Sequence, residues 1–151
     1  MDKKRGRIEN INVLYVCRYN RFRSRVAEEY FNQINKNRNV HTDSAGLIMG
    51  SQPLTKEELK IPKNMGLNLS RKSPKGLSTD LMRKTNWVVI VADNVPKKVF
   101  SVSKIKRKIT VWKMKDMVHG ESKALIEKKI RKIMKKVRKL VKKLERLENK
   151  K

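Results

Sequence analysis

The sequence predicts an α/β fold: a single domain in which a doubly wound, four-stranded parallel sheet carries helices on both faces, with a long helix at the C-terminus. Three observations lead there. Four short apolar runs rich in β-branched residues are spread along the chain. Segments with apolar residues at helical spacing lie between them, and the end of the chain carries one long helical stripe. Strands alternating with helices demand right-handed crossovers, and these cover a parallel sheet on both sides.

The first run, Asn10 to Val16 (NINVLYV), has the unbroken apolar character of a buried parallel strand. Ser24 to Asn35 follows as a helix, with Val26, Ala27, Tyr30, Phe31 and Ile34 on one face and Ser24 near its start. Asn39 to Gly46 (NVHTDSAG) is the second strand and ends in small residues; Asn86 to Asp93 (NWVVIVAD) is the third and Lys108 to Lys113 (KITVWK) the fourth. Between the second and third, Pro53, Pro62, Gly66, Pro74 and Gly76 punctuate a helix near Thr55 to Asn64 and a shorter one near Ser78 to Lys84. Asp93 and Asn94 read as caps of another short helix with Pro96 in its first turn.

From Glu121 a single helix is expected, because Ile126, Ile130, Ile133, Val137, Leu140, Leu144 and Leu147 recur at steps of four and three. The remainder of that segment is mostly lysine and arginine. Its stripe is expected to pack on the sheet, although at about 1.5 Å per residue the helix is near 40 Å long and has the reach to overhang and meet a partner helix. Residues 1–9 read as a basic flexible tail, and 121–147 as the helix proper, of one domain spanning 1–151. Trp87 and Trp112, in or beside strand runs, read as core residues.

At 151 residues the chain is long enough to bury a core without external help. One cysteine forms no internal disulfide, no apolar run approaches the length of a membrane span, and the charged start lacks a signal peptide's apolar middle. A cytoplasmic, reducing setting is the expectation. The formal net charge of +26 surrounds the protein with a field that attracts phosphates, nucleic acid or acidic lipid heads. Such a field is equally the product of a general lysine bias. It favours no sequence-specific readout, and no stacking aromatics are interleaved with the basic residues as single-strand binders require.

Chemistry concentrates at Cys17. In open α/β sheets ligands bind beyond the carboxyl ends of the strands, and Cys17 follows the first strand directly. Residues Cys17, Arg18, Tyr19, Asn20, Arg21, Phe22 and Arg23 can wrap as a loop whose backbone N–H groups point inward, with the positive end of the next helix behind them. That arrangement cradles a dianion. Arg18, Arg21, Arg23 and Arg25 would surround the sulphur and favour its thiolate, and a thiolate beside a phosphate cradle is a nucleophile for phosphoryl transfer.

The spacing Cys-x5-Arg followed by Ser (CRYNRFRS) resembles the phosphate-binding loop of the low-molecular-weight protein tyrosine phosphatases and of the related thioredoxin-coupled arsenate reductases. VLYVC before the loop, SRVAEEYF after it, and then DSAGL (Asp43 to Leu47), GLNLS (Gly66 to Ser70), VVIVAD (Val88 to Asp93) and VWKMKD (Val111 to Asp116) fall in the family's order across nearly the whole chain. The resemblance implies a phosphomonoester hydrolase with no cofactor and no metal, acting on phosphorylated proteins or small phosphomonoesters. It implies that Cys17 carries a phosphocysteine intermediate, that Arg23 grips two equatorial oxygens with its planar fork, and that Ser24 donates to the thiolate. Asn20 would occupy a loop position that needs an unusual backbone angle, with Ser44 tying it in place. Asp116, in the loop after the fourth strand, would be the general acid and then the base. Asp93 is its rival, and His119 reads as a solvated loop residue.

The chain also departs from the family. Met117 and Val118 follow Asp116 where proline and often tyrosine are usual, and Leu47, Ile48 and Met49 follow SAG, so an aromatic pocket for phosphotyrosine is not spelled out. Lys72 stands where many relatives have a histidine in the loop's hydrogen-bond network, and lysine has no acceptor. Phe22 replaces a second cysteine, which leaves Cys17 no local resolving thiol. The same lack removes the thiol relay of the thioredoxin-coupled reductases. Two readings stay open beside the hydrolase: an arsenate reductase drawing on an external thiol, and an inactive module that binds nucleic acid non-specifically through charge. Oligomeric state is not legible.

Overall fold

The computed structural model describes residues 10–50, 52–101, 106–118 and 120–149. The tail read at 1–9 and His119 lie outside the described residues. Four parallel strands, β1 (Ile11–Cys17), β2 (Val40–Gly46), β3 (Trp87–Val91) and β4 (Lys108–Trp112), form a sheet in the order β2-β1-β3-β4. Tyr15 pairs with Ser44 on one side and Val89 on the other, and the last residue of β1, Cys17, pairs with Gly46. The chain winds outward from β1 to β2 and then returns across it to β3. That reversal opens a crevice between the carboxyl ends of β1 and β3, the favoured ligand position in such sheets.

The apolar runs divide by their period of two. Val13, Tyr15, Val89 and Val91 face helices α1 (Arg23–Ile34) and α4 (Lys123–Asn149), meeting Phe31, Ile130, Ile133 and Val137. Leu14, Val16, Val88 and Ile90 face the other way, onto α3 (Thr79–Lys84) and a 3₁₀ turn at Lys97–Phe100, through Leu81, Val95 and Phe100. Central strands buried on both faces explain why NVLYV and WVVIV lack polar alternation. Trp87 and Trp112 are both core residues, the latter tilted against Tyr15 at 5.8 Å.

Each short helix has a local reason to start. Thr55 accepts from the Glu58 N–H at 3.1 Å while Glu58 accepts from the Thr55 N–H at 2.9 Å, a full capping box at the head of α2 (Lys56–Asn64). Ser78 caps α3 by accepting from the Leu81 N–H. Ser122 accepts from the Leu125 N–H at the head of α4, so that helix starts two residues later than the expected Glu121. Asp93 and Asn94 cap no helix among the described residues. The 3₁₀ turn begins after Pro96 with no side-chain cap, and both residues face the site described below.

The α4 stripe is buried through Leu144, while Leu147 is 40% exposed. It rests against α1 and α2 and closes the layer over the sheet, so nearly the whole stripe serves the core and only its last turn is left for anything else. Ile133→Ala should therefore cost about 2–5 kcal/mol and Leu147→Ala within about 0.5 kcal/mol. Urea unfolding of the two variants checks this, and comparable losses would mean the stripe is not the seat of the packing.

Candidate active site

Five residues, Arg18 to Phe22, turn the chain from the end of β1 to the start of α1. The turn is tight because Asn20 adopts φ = 55°, a left-handed backbone angle that asparagine accepts at low cost. Its buried side chain then works in three directions. Nδ2 donates to Ser24 Oγ at 2.8 Å and to Ser44 Oγ at 2.9 Å, and Oδ1 accepts from the Lys75 N–H at 2.9 Å. Because Ser24 Oγ accepts from Asn20, its own hydrogen is free to point at Cys17 Sγ, 3.0 Å away.

The loop has a floor. Gly46, paired with Cys17, lies so close under it that a β-carbon there would sit 2.5 Å from the Tyr19 carbonyl carbon and 2.7 Å from the Asn20 nitrogen. Beyond Gly46 the pairing continues into the loop, with Leu47 N–H donating to Cys17 O and Ile48 N–H to Arg18 O, both at 2.9 Å. The small residues ending β2 are thus a clearance requirement.

The network runs on past Ser44, whose hydroxyl donates to the buried Glu28 at 2.6 Å. Glu28 in turn forms an ion pair with Lys72, which also lies 3.8 Å from Asp43. Lysine has no acceptor, yet it joins the network as a donor to a carboxylate. Partial burial pushes the Lys72 ammonium down, but the hydrogen bond and charge of Glu28, with Asp43 behind, outweigh it and raise its pKa above the ordinary value. Glu28 was missed by sequence reasoning; the available signal was a carboxylate four residues after Ser24, on the face of α1 that carries the buried residues.

The four arginines do not encircle the sulphur as expected. Arg21 turns away to chelate Glu58 with both terminal nitrogens and to donate to Pro53 O at 3.0 Å. Arg25 donates to the carbonyls of Leu69 and Lys72. Arg18 reaches Tyr19 Oη at 3.1 Å and Asn94 O at 3.4 Å. Backbone carbonyls and Glu58 are stronger attractions for a donor fork than a single sulphur, so the cradle's charge narrows to one guanidinium. Phe22 turns into the core, leaving only its backbone for the loop.

That guanidinium is Arg23, 1% exposed. Nη1 donates to Met114 O at 2.7 Å and Nη2 to Asn94 Oδ1 at 3.2 Å, while Nε is buried without a partner among the described residues. Two carboxylates attend it from outside: Asp116 Oδ2 lies 3.3 Å from Nη2, and Asp93 Oδ1 lies 3.9 Å from Nη1. Both are 41% exposed, but Asp116 also lines the adjoining cleft of about 660 Å³, together with Tyr19, Met49, Pro74, Met117 and Val118. Cys17, Ser24, Asn20, Ser44, Arg23 and Asp116 are thus brought to one place. Arg21, Arg18 and the side chain of Phe22 are not directed at it.

The chain matches the family model described as low molecular weight phosphotyrosine protein phosphatase over residues 12–150. It belongs to that family. Among solved structures it is similar to a low molecular weight protein tyrosine phosphatase from T. tengcongensis, with TM-score 0.74 and 22% identity over 89% of this chain and 99% of that one. It is also similar to a thioredoxin-dependent arsenate reductase from Corynebacterium glutamicum, with TM-score 0.66 and 25% identity over 92% of this chain and 64% of that one, so the chain spans slightly under two thirds of that protein. An arginine phosphatase from Geobacillus stearothermophilus has TM-score 0.69 and 15% identity over 93% of this chain and 96% of its own. No curated protein matches the sequence.

Two expectations follow from this geometry. Gly46→Ala should displace the loop and weaken binding of inorganic phosphate about tenfold or more by calorimetry, whereas unaltered binding would mean the loop tolerates a side chain beneath it. Glu58, pushed up by burial but pulled down further by its bonds from Arg21 and Thr55, has a pKa below its ordinary 4.5. Its contribution to stability is therefore present above pH 4.5 and lost as pH falls through the depressed folded value. Thermal unfolding of Glu58→Gln should fall short of the parent at neutral pH and converge with it in acid; a gap that widens in acid would reverse the sign.

Proposed function

We propose that the protein is a metal-independent phosphomonoester hydrolase that works through a phosphocysteine on Cys17. The observation carrying this reading is the buried sulphur within reach of the Ser24 hydroxyl, at the base of a loop where Arg23 keeps one donor unpaired. A buried N–H without a partner costs free energy, and a phosphoryl oxygen entering the loop would satisfy it. In the first step the Cys17 thiolate attacks phosphorus, the ester P–O bond breaks, and Asp116 gives its proton to the leaving oxygen. In the second, Asp116 takes a proton from water, the water oxygen attacks phosphorus, the P–S bond breaks, and phosphate leaves with the thiolate restored.

Arg23 is preorganised for both transfers by Met114 O and Asn94, so little of its motion is left to freeze. Loop N–H groups from Arg18 to Arg23 would receive the other oxygens. We take Asp116 rather than Asp93 as the acid because Asp116 borders the cleft, where we place the leaving group. Phosphorylated proteins and small phosphomonoesters are the substrates we infer. Tyr19, in the loop itself, borders that cleft and supplies an aromatic side chain there where Met117 and Val118 do not, which is compatible with aryl leaving groups. No helix among the described residues is long and apolar enough to cross a membrane, and we place the protein, with its lone cysteine, in the cytoplasm.

Aryl phosphate turnover without added metal tests the proposal. Cys17→Ser should abolish it, and Arg23→Lys should reduce kcat/KM by about a hundredfold or more, because an ammonium cannot reproduce the fork. Asp116→Asn should slow poor leaving groups about a hundredfold and good ones much less. Activity surviving in Cys17→Ser would overturn the mechanism, and the leaving-group effect appearing in Asp93→Asn instead would reassign the acid. A protein silent on phosphates that reduces arsenate with an added thiol would be the reductase instead.

A further inference from the structure

The outer face of α4 carries a ridge of positive charge that the hydrolase reading does not use. Lys128, Lys132, Lys135, Lys139, Lys142 and Arg146 recur at steps of three and four, all exposed, on the side opposite the buried stripe. From Lys128 to Arg146 the ridge is about 27 Å long. Glu127 and Glu145 lie at the ridge's edge near its two ends, off its line, and among the described residues Lys128, Lys132, Lys135, Lys139 and Lys142 make no ion pair. Alongside, Lys108 from the edge strand β4 and Lys143 both sit over the Trp87 ring, at 4.4 and 5.6 Å. Burial and then the neighbouring Lys143 hold the Lys108 pKa below its ordinary value.

Like charges three or four residues apart weaken a helix, and glutamates on the ridge would have relieved the repulsion without touching the core. Segregating the acids keeps a long unneutralised rod instead. We propose that this ridge is a docking surface for the phosphate backbone of duplex nucleic acid, bound without regard to base sequence. A duplex presents phosphates at regular spacing over the length of the rod. A bilayer surface fits less well: the apolar face of α4 is buried in the core, and the ridge interposes no side chain to enter the acyl region. Single strands fit less well too, for no exposed aromatic lies on the ridge to stack a base.

Fluorescence anisotropy of the whole protein with a labelled duplex of about 20 base pairs, at several salt concentrations, tests this. Reversing Lys132, Lys135, Lys139 and Lys142 to Glu lowers the formal charge of +26 by eight, as does reversing Lys60, Lys63, Lys84 and Lys98 elsewhere. The ridge variant should lose at least about tenfold in affinity, with the log–log salt slope flattening by about three, while the control loses less than about threefold. Aryl phosphate turnover should be the same in both. If the glutamates unfold the helix by circular dichroism, the four glutamines serve, with a smaller loss in the same direction. Equal losses in ridge and control variants would overturn the proposal, reducing the charge to composition. So would tighter, ridge-dependent binding to phosphatidylserine vesicles than to the duplex.

Discussion

The left-handed backbone angle at Asn20 is the constraint on which the site depends. It folds the turn between β1 and α1 tightly enough that the side chain of the turning residue ends up inside, where its amide meets two serines. An amide nitrogen only donates, so both serine oxygens must accept from it and both must pass their own hydrogens outward. One goes toward the Cys17 sulphur and the other to Glu28. The direction of every hydrogen bond is thereby set by one residue, and each end of the chain terminates on a group able to carry negative charge.

That polarity explains how Lys72 fits. A buried carboxylate is costly unless paired, and the outer end of the chain needs an acceptor for Ser44 together with a cation for balance. Glu28 supplies the first and Lys72 the second. A residue that only donates is therefore compatible with the network, provided that it sits one step beyond the serine. The same segment serves the loop again through its backbone: the Lys72 carbonyl holds Arg25, and the Lys75 N–H holds Asn20.

The alternation of apolar runs and helical stripes made the sheet, its parallel sense and the burial of both tryptophans legible, because strand period and helix period depend on spacing along the chain. Cys17, Asn20, Ser24, Ser44 and Asp116 were readable from a resemblance and from their places after strands. Positions alone hid where charged side chains turn. Four arginines within eight residues suggested a ring of charge around the sulphur; the direction of each is decided by acceptors distant in sequence, such as Glu58, Leu69 O and Met114 O. Asp93 and Asn94 looked like caps for the same reason. A polar pair before a proline satisfies the local pattern of a helix start, and only the crossover between β1 and β3 reveals that Arg23 stands opposite.

Charge is distributed unevenly across this molecule, and the unevenness ties the site to the rest of the surface. Glu28, Asp43, Glu58, Asp93, Asp116 and Glu121 lie around the loop and its cleft, in a chain with only 14 acids against 40 lysines and arginines. Each but Glu121 is within 4 Å of a cation that supports the loop or its network, and Glu121 pairs with Lys129 at the head of α4. A dianion approaching from solution is drawn by the field of the whole protein, yet meets a rim whose local charges largely cancel. In the proposed hydrolase, retention would fall to directed donors, the loop N–H groups and the Nε of Arg23, which would recognise the shape of a phosphoryl group where a diffuse field recognises only its sign.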